Sequence, residues 1–429
     1  MTPTTITRVH ARRIWDSRGR PTVEAEIHLA GGAVGRGVAP AGASRGSREA
    51  IELRDGGTRH GGYDVALAVA NVRGPIARAI FGMDALEQAA VDRALIELDG
   101  TPNKARLGGN ALVAVSLAVA QAGALAHDMP LWLHLAGDEP VSLPLPEVQI
   151  FGGGAHAGRR IDIQDLMVMP VAATSFAEAL AVVADVYRAA GQLMADAGKL
   201  AGVADEGGWW PAFDSNDDAL TMLVRAIERA GYAPGAEVAI SLDIAASEFG
   251  RDGRYVLARD ARTLDRDGMI ELLLGWLDRF PIVSIEDPLA EDDREGWIAF
   301  AHAAGARVQI IGDDFLTTNA ARVTAAAADR ACNAVLIKPN QAGTLTETRA
   351  ALDAARQAGM ATIVSARSGE TEDVSIAHLA VGWNAGQLKV GSFARGERMA
   401  KWNEVLRIEE ALGVDARYVG RAALRNQRK

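Results

Sequence analysis

Three acids and two lysines in this chain share a local setting, since each ends or sits within a short apolar run. VAISLD ends at Asp243, PIVSIED reaches Glu286, and VQIIGDD reaches Asp313. NAVLIK ends at Lys338, GQLKVGS carries Lys389, and ATIVSARS adds Arg367 and Ser368. An all-oxygen set such as Asp243, Glu286 and Asp313 suits Mg²⁺, a hard cation that keeps water and substrate oxygens in its remaining positions. No close His/Cys cluster points to zinc. Carboxylates facing Lys338, Lys389 and Arg367 fit a polyanionic substrate bridged to the metal. The ammonium pKa of Lys338 should fall beside a divalent cation, which makes it a candidate general base. Glu206, in VADEGGWWP, is a candidate acid across the mouth. Base on one side and acid on the other is the arrangement for removing a proton and expelling a leaving group.

A single acid after a strand more often caps a helix or closes a turn. Six strand ends, three acidic and three cationic, need a common frame. They follow one another at 22 to 43 residues, the length of strand–helix units. Successive units of that kind make a parallel sheet, and this many point to a closed (β/α) barrel whose C-terminal strand ends converge on one mouth. The first third reads differently. TVEAEIHLAGGAVGRGVAP alternates around a Gly-Gly turn, a hairpin signal, and three helical stretches follow it. GDEPVSLPLP, residues 137–146, is proline-rich and without helical period. The expected organisation is therefore a small α+β domain over residues 1–138 and a barrel over residues 139–429.

The bulk composition excludes several partners. The chain has 429 residues, 49% of them hydrophobic and 23% charged, the balance of a soluble globular protein. A net charge of −10 argues against nucleic acid or anionic membrane as the main partner. The lone cysteine, Cys332, permits no internal disulfide and fits a reducing cytoplasm. The N-terminal stretch lacks the apolar core of a signal peptide. The longest apolar run, Ala111 to Ala126, is too short and too alanine-rich to span a bilayer and reads as a buried helix.

Longer stretches carry a family resemblance. DSRGRPTVEAEIHL, GSREAIELRDG, VSIEDPLAEDD, IGDD, RSGETED and RIEEALG together make the chain resemble enolase nearly end to end. The resemblance implies an α/β protein in which a small α+β capping domain precedes a modified (β/α)8 barrel of the TIM type, usually as a homodimer in the cytoplasm. It implies one or two Mg²⁺ ions and a small anionic phospho-carboxylate substrate. Position by position, Asp243, Glu286 and Asp313 match metal ligands, Lys338 the base and Glu206 the acid. Asp165 stands where a second glutamate is usual. Lys389 matches the lysine on the substrate carboxylate, and Arg367 and Ser368 match phosphate ligands. Ser44 matches a mobile-loop serine that reaches the second Mg²⁺, and His156 a loop histidine near the phosphate.

The departures from the pattern gather on the lids and the leaving-group side. SARSGETED replaces the usual SHRSGETED, so Ala366 stands for a histidine. PAGASRGS introduces Ala41 and Arg45, GGGAHA introduces Gly152 and Ala155, and DEGGWWP introduces Trp209 and Trp210. Pro339 follows the base. The reading favoured by these changes keeps enolate chemistry and alters recognition: Ala366, Ala155 and Gly152 make room, and Arg45 and the tryptophans contact a larger group, although tryptophan is more commonly a core side chain. A specialised member of the carboxyphosphonoenolpyruvate synthase type, acting on a cytidylyl-activated phosphonate in phosphonate biosynthesis, fits that pattern. The alternatives are an ordinary or slow enolase and, third, a non-catalytic binding protein.

Overall fold

The computed structural model describes residues 1–210 and 213–424. Strands β1 (Ile6–Trp15), β2 (Pro21–Leu29) and β3 (Val34–Val38) form an antiparallel sheet, with β2 and β3 joined by the expected Gly-Gly hairpin. Helix α1 (Gln88–Asp99) packs on α2 (Gly109–Ala126), and α2 covers the sheet. The alanine richness of α2 has a steric cause. A Cβ on Gly35 would stand 2.2 Å from Ala118 O, and one on Gly37 would stand 2.4 Å from Ala114 O. Bare glycines on β3 and small residues on α2 let the two backbones nearly touch. Among the described residues α2 is the one helix long and apolar enough to cross a membrane, and 83% of it is buried in the protein.

Eight further strands close a barrel in the order β7–β8–β9–β10–β11–β4–β5–β6. They are β4 (Leu145–Gly152), β5 (Asp165–Met169), β6 (Ala239–Asp243), β7 (Ile282–Glu286), β8 (Gln309–Gly312), β9 (Ala334–Ile337), β10 (Ala361–Ser365) and β11 (Gly386–Ser392). The strands are buried nearly throughout, as a sheet covered on both faces requires. Six long helices form the outer layer: α3 (Phe176–Asp196), α4 (Asn216–Arg229), α5 (Arg266–Arg279), α6 (Arg294–Ala304), α7 (Ala320–Asp329) and α8 (Leu345–Gln357). Each starts at a side-chain cap, in turn Ser175, Ser215, Asp265, Asp293, Asn319 and Thr344, which accepts a bond from an amide three residues on. The last two helices are α9 (Ser375–Gly382) and α10 (Gly396–Leu412).

One strand departs from the expected uniform repeat. β5 runs antiparallel to both neighbours, pairing Asp165 with Gly152 and with Asp243. A reversed strand presents its first residue where parallel strands present their last. Asp165 therefore opens β5 at the same mouth where Asp243 closes β6.

The N-terminal sheet sits over that mouth. Ala41 and Gly369 exchange two backbone bonds of 2.9 and 2.8 Å, and Ser17 N donates to Glu370 O at 2.8 Å. The segment carrying Ser44 is thereby brought beside the end of β10.

Candidate active site

The strand ends bring the singled-out residues to one end of the barrel, although Glu286 and Asp313 lie outside the cavity lining. Asp243 and Glu286 close β6 and β7, while Asp313 and Lys338 immediately follow β8 and β9. Ala366, Arg367 and Ser368 follow β10, and Lys389 lies within β11 opposite Ser365. One cavity is lined by Ser44, His156, Asp165, Glu206 and Asp243 together with Lys338, Ala366, Arg367, Ser368 and Lys389.

Two lysines organise the carboxylates. Lys389 Nζ lies 2.8 Å from Asp243 Oδ2, 2.8 Å from Glu286 Oε2 and 3.3 Å from Asp165 Oδ2. Burial alone would lower this ammonium, but Asp243, Glu286 and Asp165 hold it well above its ordinary value. Lys338 Nζ contacts Asp313 Oδ2, and Asp313 outweighs burial to raise it. Glu286 is pushed well above the carboxylate range by burial and by Asp243. Asp313 and Asp165 would rise on burial, yet are held low, Asp313 by Lys338 and Arg367, Asp165 by Lys389 and His156.

His156 joins the two sides. Its Nδ1 is 3.2 Å from Asp165 Oδ1, and its Nε2 is 3.0 Å from Ser368 Oγ and 3.7 Å from Glu206 Oε1. Burial would lower the imidazole; the carboxylates of Glu206 and Asp165 win and raise it to about 8.

Five residues with no part in the strand-end reading also shape the site. Glu49 takes Arg367 in a two-pronged ion pair at 2.8 and 3.1 Å, and Asn340 and Ser44 O accept further bonds from that guanidinium. Gln341 donates to Asp313 Oδ1 at 2.8 Å, and Gln164 donates to Asp243 Oδ2 at 3.0 Å. Glu147 lies one step inside the barrel, opposite Lys389 in register and fully buried. Glu49 falls within GSREAIELRDG and Gln164 beside Asp165, which is the only signal the sequence offers for either.

The residue types fit a divalent cation. Asp165, Asp243, Glu286, Asp313 and Glu206 outnumber the cations beside them, Lys338, Lys389 and His156, and Glu49 already pairs with Arg367. Such a site repels a polyanion unless cations are added. Glu286 Oε1, fully buried, and Gln164 Oε1 have no hydrogen-bond partner among the described residues, and such groups call for one. Hard oxygen donors select Mg²⁺ or a similar ion. The expected trio does not itself form a tight set. The side chains that each bring an atom within 4.8 Å of one another are His156, Asp165 and Glu206, and separately Asp287, Asp313 and Asp314. Between Asp243 and Glu286 stands the Lys389 ammonium.

Four expectations on the lids are corrected. Arg45 is exposed and faces Glu52 at 3.5 Å, outside the cavity lining. Trp209 stacks on Tyr187 of α3 with centroids 4.8 Å apart, and Trp210 packs on the His156 loop, so neither indole lines the cavity. Their partly apolar rings find cover against the scaffold rather than a ligand. Gly152 makes no room, since a Cβ there would stand 2.6 Å from Ala204 Cβ. Ala366 alone of these changes, with 7% exposure, lines the cavity.

The family described as "Enolase, N-terminal domain" matches residues 6–135, and "Enolase, C-terminal TIM barrel domain" matches residues 140–427. The chain belongs to the enolase family. Enolase 1 of Desulfitobacterium hafniense (strain Y51) is 50% identical over 416 residues, which cover 96% of this chain and 95% of that relative. Half the residues shared over nearly the whole length extend the enolase likeness to both domains.

Proposed function

We propose that this protein is a Mg²⁺-dependent enolase that reversibly dehydrates 2-phosphoglycerate to phosphoenolpyruvate. The observation that carries the reading is the ring of Asp243, Glu286 and Asp313 around Lys389 and Lys338 at the barrel mouth. Near-complete alignment with a relative named Enolase 1 supports it. In this reading residues 1–138 cap the barrel of residues 139–429, and the protein is a cytoplasmic homodimer or higher homo-oligomer.

Lys338 Nζ takes the proton from the substrate carbon beside the carboxylate. Lys389 binds that carboxylate and stabilises the charge passed onto it. Asp243, Glu286 and Asp313 would hold Mg²⁺, with Ser44 serving a second ion, and the metal would supply the remaining charge neutralisation. Glu206, positioned with Asp165 and His156, protonates the departing hydroxyl. The C–H and C–O bonds break, a C=C bond forms, and water leaves. Arg367, Ser368 and His156 bind the phosphate, which takes the place of Glu49 as partner of the guanidinium.

The test is direct. Purified protein, Mg²⁺ and 2-phosphoglycerate are mixed, and phosphoenolpyruvate is followed by ultraviolet absorbance. Turnover on the order of 10–10³ per second supports the enolase reading. Ala366 on the cavity wall favours a second reading, recognition of a larger phosphonate substrate. Trace turnover with Mg²⁺ still bound, and turnover of a cytidylyl-activated phosphonoformate instead, would replace the first reading by the second.

A further inference from the structure

His156 and Glu206 sit on different loops, and one side chain joins them. Trp210 lies four residues after Glu206. Its Nε1 donates to Ala157 O at 2.6 Å. The Arg160 guanidinium lies 4.5 Å from the centroid of the same indole. A Cβ on Gly158 would stand 3.7 Å from Trp210 Cζ2. Three of the four residues after His156 thus lie against this ring. The indole is only half-buried, so it is not a core side chain that happens to pass nearby.

The other end of the connection is fixed. Trp209 N donates to Ile150 O at 2.8 Å, and Gly152 N donates to Trp209 O at 3.1 Å, which fastens the Glu206 loop to β4. The Trp209 indole N–H reaches Tyr187 O at 2.8 Å, and Tyr187 Oη donates to Gly207 O at 2.9 Å, which fastens it to α3. From that anchor Trp210 extends to the His156 loop. Besides it, Asp205 N donates to His156 O at 3.2 Å between the two loops.

We infer that Trp210 is a positioning residue, whose indole clasps the His156 loop to the anchored Glu206 loop and so sets the separation of the imidazole from the Glu206 carboxylate. The inference rests on the dehydration reading above for its effect on rate. A misplacement of about 1 Å at a reacting group costs ~10²-fold, so the clasp acts on turnover although it touches no substrate.

The test has two arms. Limited trypsin digestion reads the clasp without any activity, because Arg159 and Arg160 lie in the clasped loop. Cleavage there should be about 10-fold faster in Trp210→Ala, and less so in Trp210→Phe, which keeps a ring under Arg160. Equal cleavage rates would overturn the clasp. Kinetics read the positioning: Trp210→Ala should lower kcat by ~10–10²-fold while KM for 2-phosphoglycerate and the Mg²⁺-induced rise in Tm stay near wild type. An unchanged kcat would overturn the positioning role. If Trp210→Ala does not fold, Trp210→Leu, which keeps apolar bulk and both arginines but loses the bond to Ala157 O, is read the same way. A wild type without turnover would overturn the dehydration reading, and the digestion would still decide the clasp.

Discussion

Lys338 Nζ lies 2.5 Å from Asp313 Oδ2, and both side chains are buried. In this arrangement the lysine is the counter-ion of an acid that the family resemblance assigns to the metal. Burial would make the ammonium more acidic, yet Asp313 holds its pKa above the ordinary value. A proton so held is not available for exchange with a weak carbon acid. In the proposed mechanism a divalent cation on Asp313 would relieve the lysine of that duty, so that metal binding would ready the base.

Lys338→Ala should lower 2-phosphoglycerate turnover by ~10²–10⁴-fold, the usual loss for a general base. Mg²⁺ should still raise its Tm, since the acids remain. Steady-state kinetics and thermal denaturation with and without Mg²⁺ check both halves. Substantial residual turnover would remove Lys338 from the role of base.

Mg²⁺ binding itself has a thermal signature. At about 100 times its Kd the ion should stabilise the fold by about 2.7 kcal/mol, visible as a rise in Tm that EDTA reverses. Glu286→Gln should largely abolish the rise, because it removes a carboxyl that the cation would ionise and whose second oxygen lacks any partner among the described residues. An undiminished shift in that variant would place the ion elsewhere.

The ring was legible because parallel strands end in register at one mouth, so a list of strand-terminal residues is a list of neighbours. Asp165 escapes that rule, since β5 is reversed and its functional end is its beginning; only the family resemblance located it. Glu49 was not legible as the partner of Arg367. The two lie 318 residues apart, and only the seating of the cap over the mouth joins them. The direction of the Trp209 and Trp210 indoles was not legible for a similar reason. A loop's sequence does not fix the direction of its side chains, and here Tyr187 and Ala157 decide it.

Glu147 gives a pH dependence with a defined sign. It is fully buried, its Oε2 has no partner among the described residues, and burial raises it to about 7 against an ordinary 4.5. A raised carboxyl binds its proton more tightly in the folded state than in the unfolded one. Stability is then full below pH 4.5 and falls as pH rises through 7. The loss amounts to about 3 kcal/mol at most. Glu147→Gln should be the more stable protein at pH 8 by up to that amount and nearly equal to wild type at pH 4.5. Urea denaturation of both proteins at the two pH values measures it. A mutant equally destabilised at both would mean that Glu147 is held ionised by Lys389.

Ala366 decides how far the lid changes reach the chemistry. Ala366 lines the cavity with His156, Glu206 and Lys389, and its N–H donates to Lys389 O at 2.8 Å. An imidazole would add a hydrogen-bonding group on the leaving-group side, where one donor is worth ~10²-fold in rate. If the site already serves 2-phosphoglycerate, Ala366→His should lower its turnover or leave it unchanged, with the Mg²⁺-induced Tm shift retained. A fall in rate, with folding intact, would mean that His156 and Ser368 already satisfy this wall and that the alanine belongs to a working enolase site. A rise of ~10-fold or more would show the wild-type pocket to be tuned away from 2-phosphoglycerate, and the larger phosphonate would become the substrate to test.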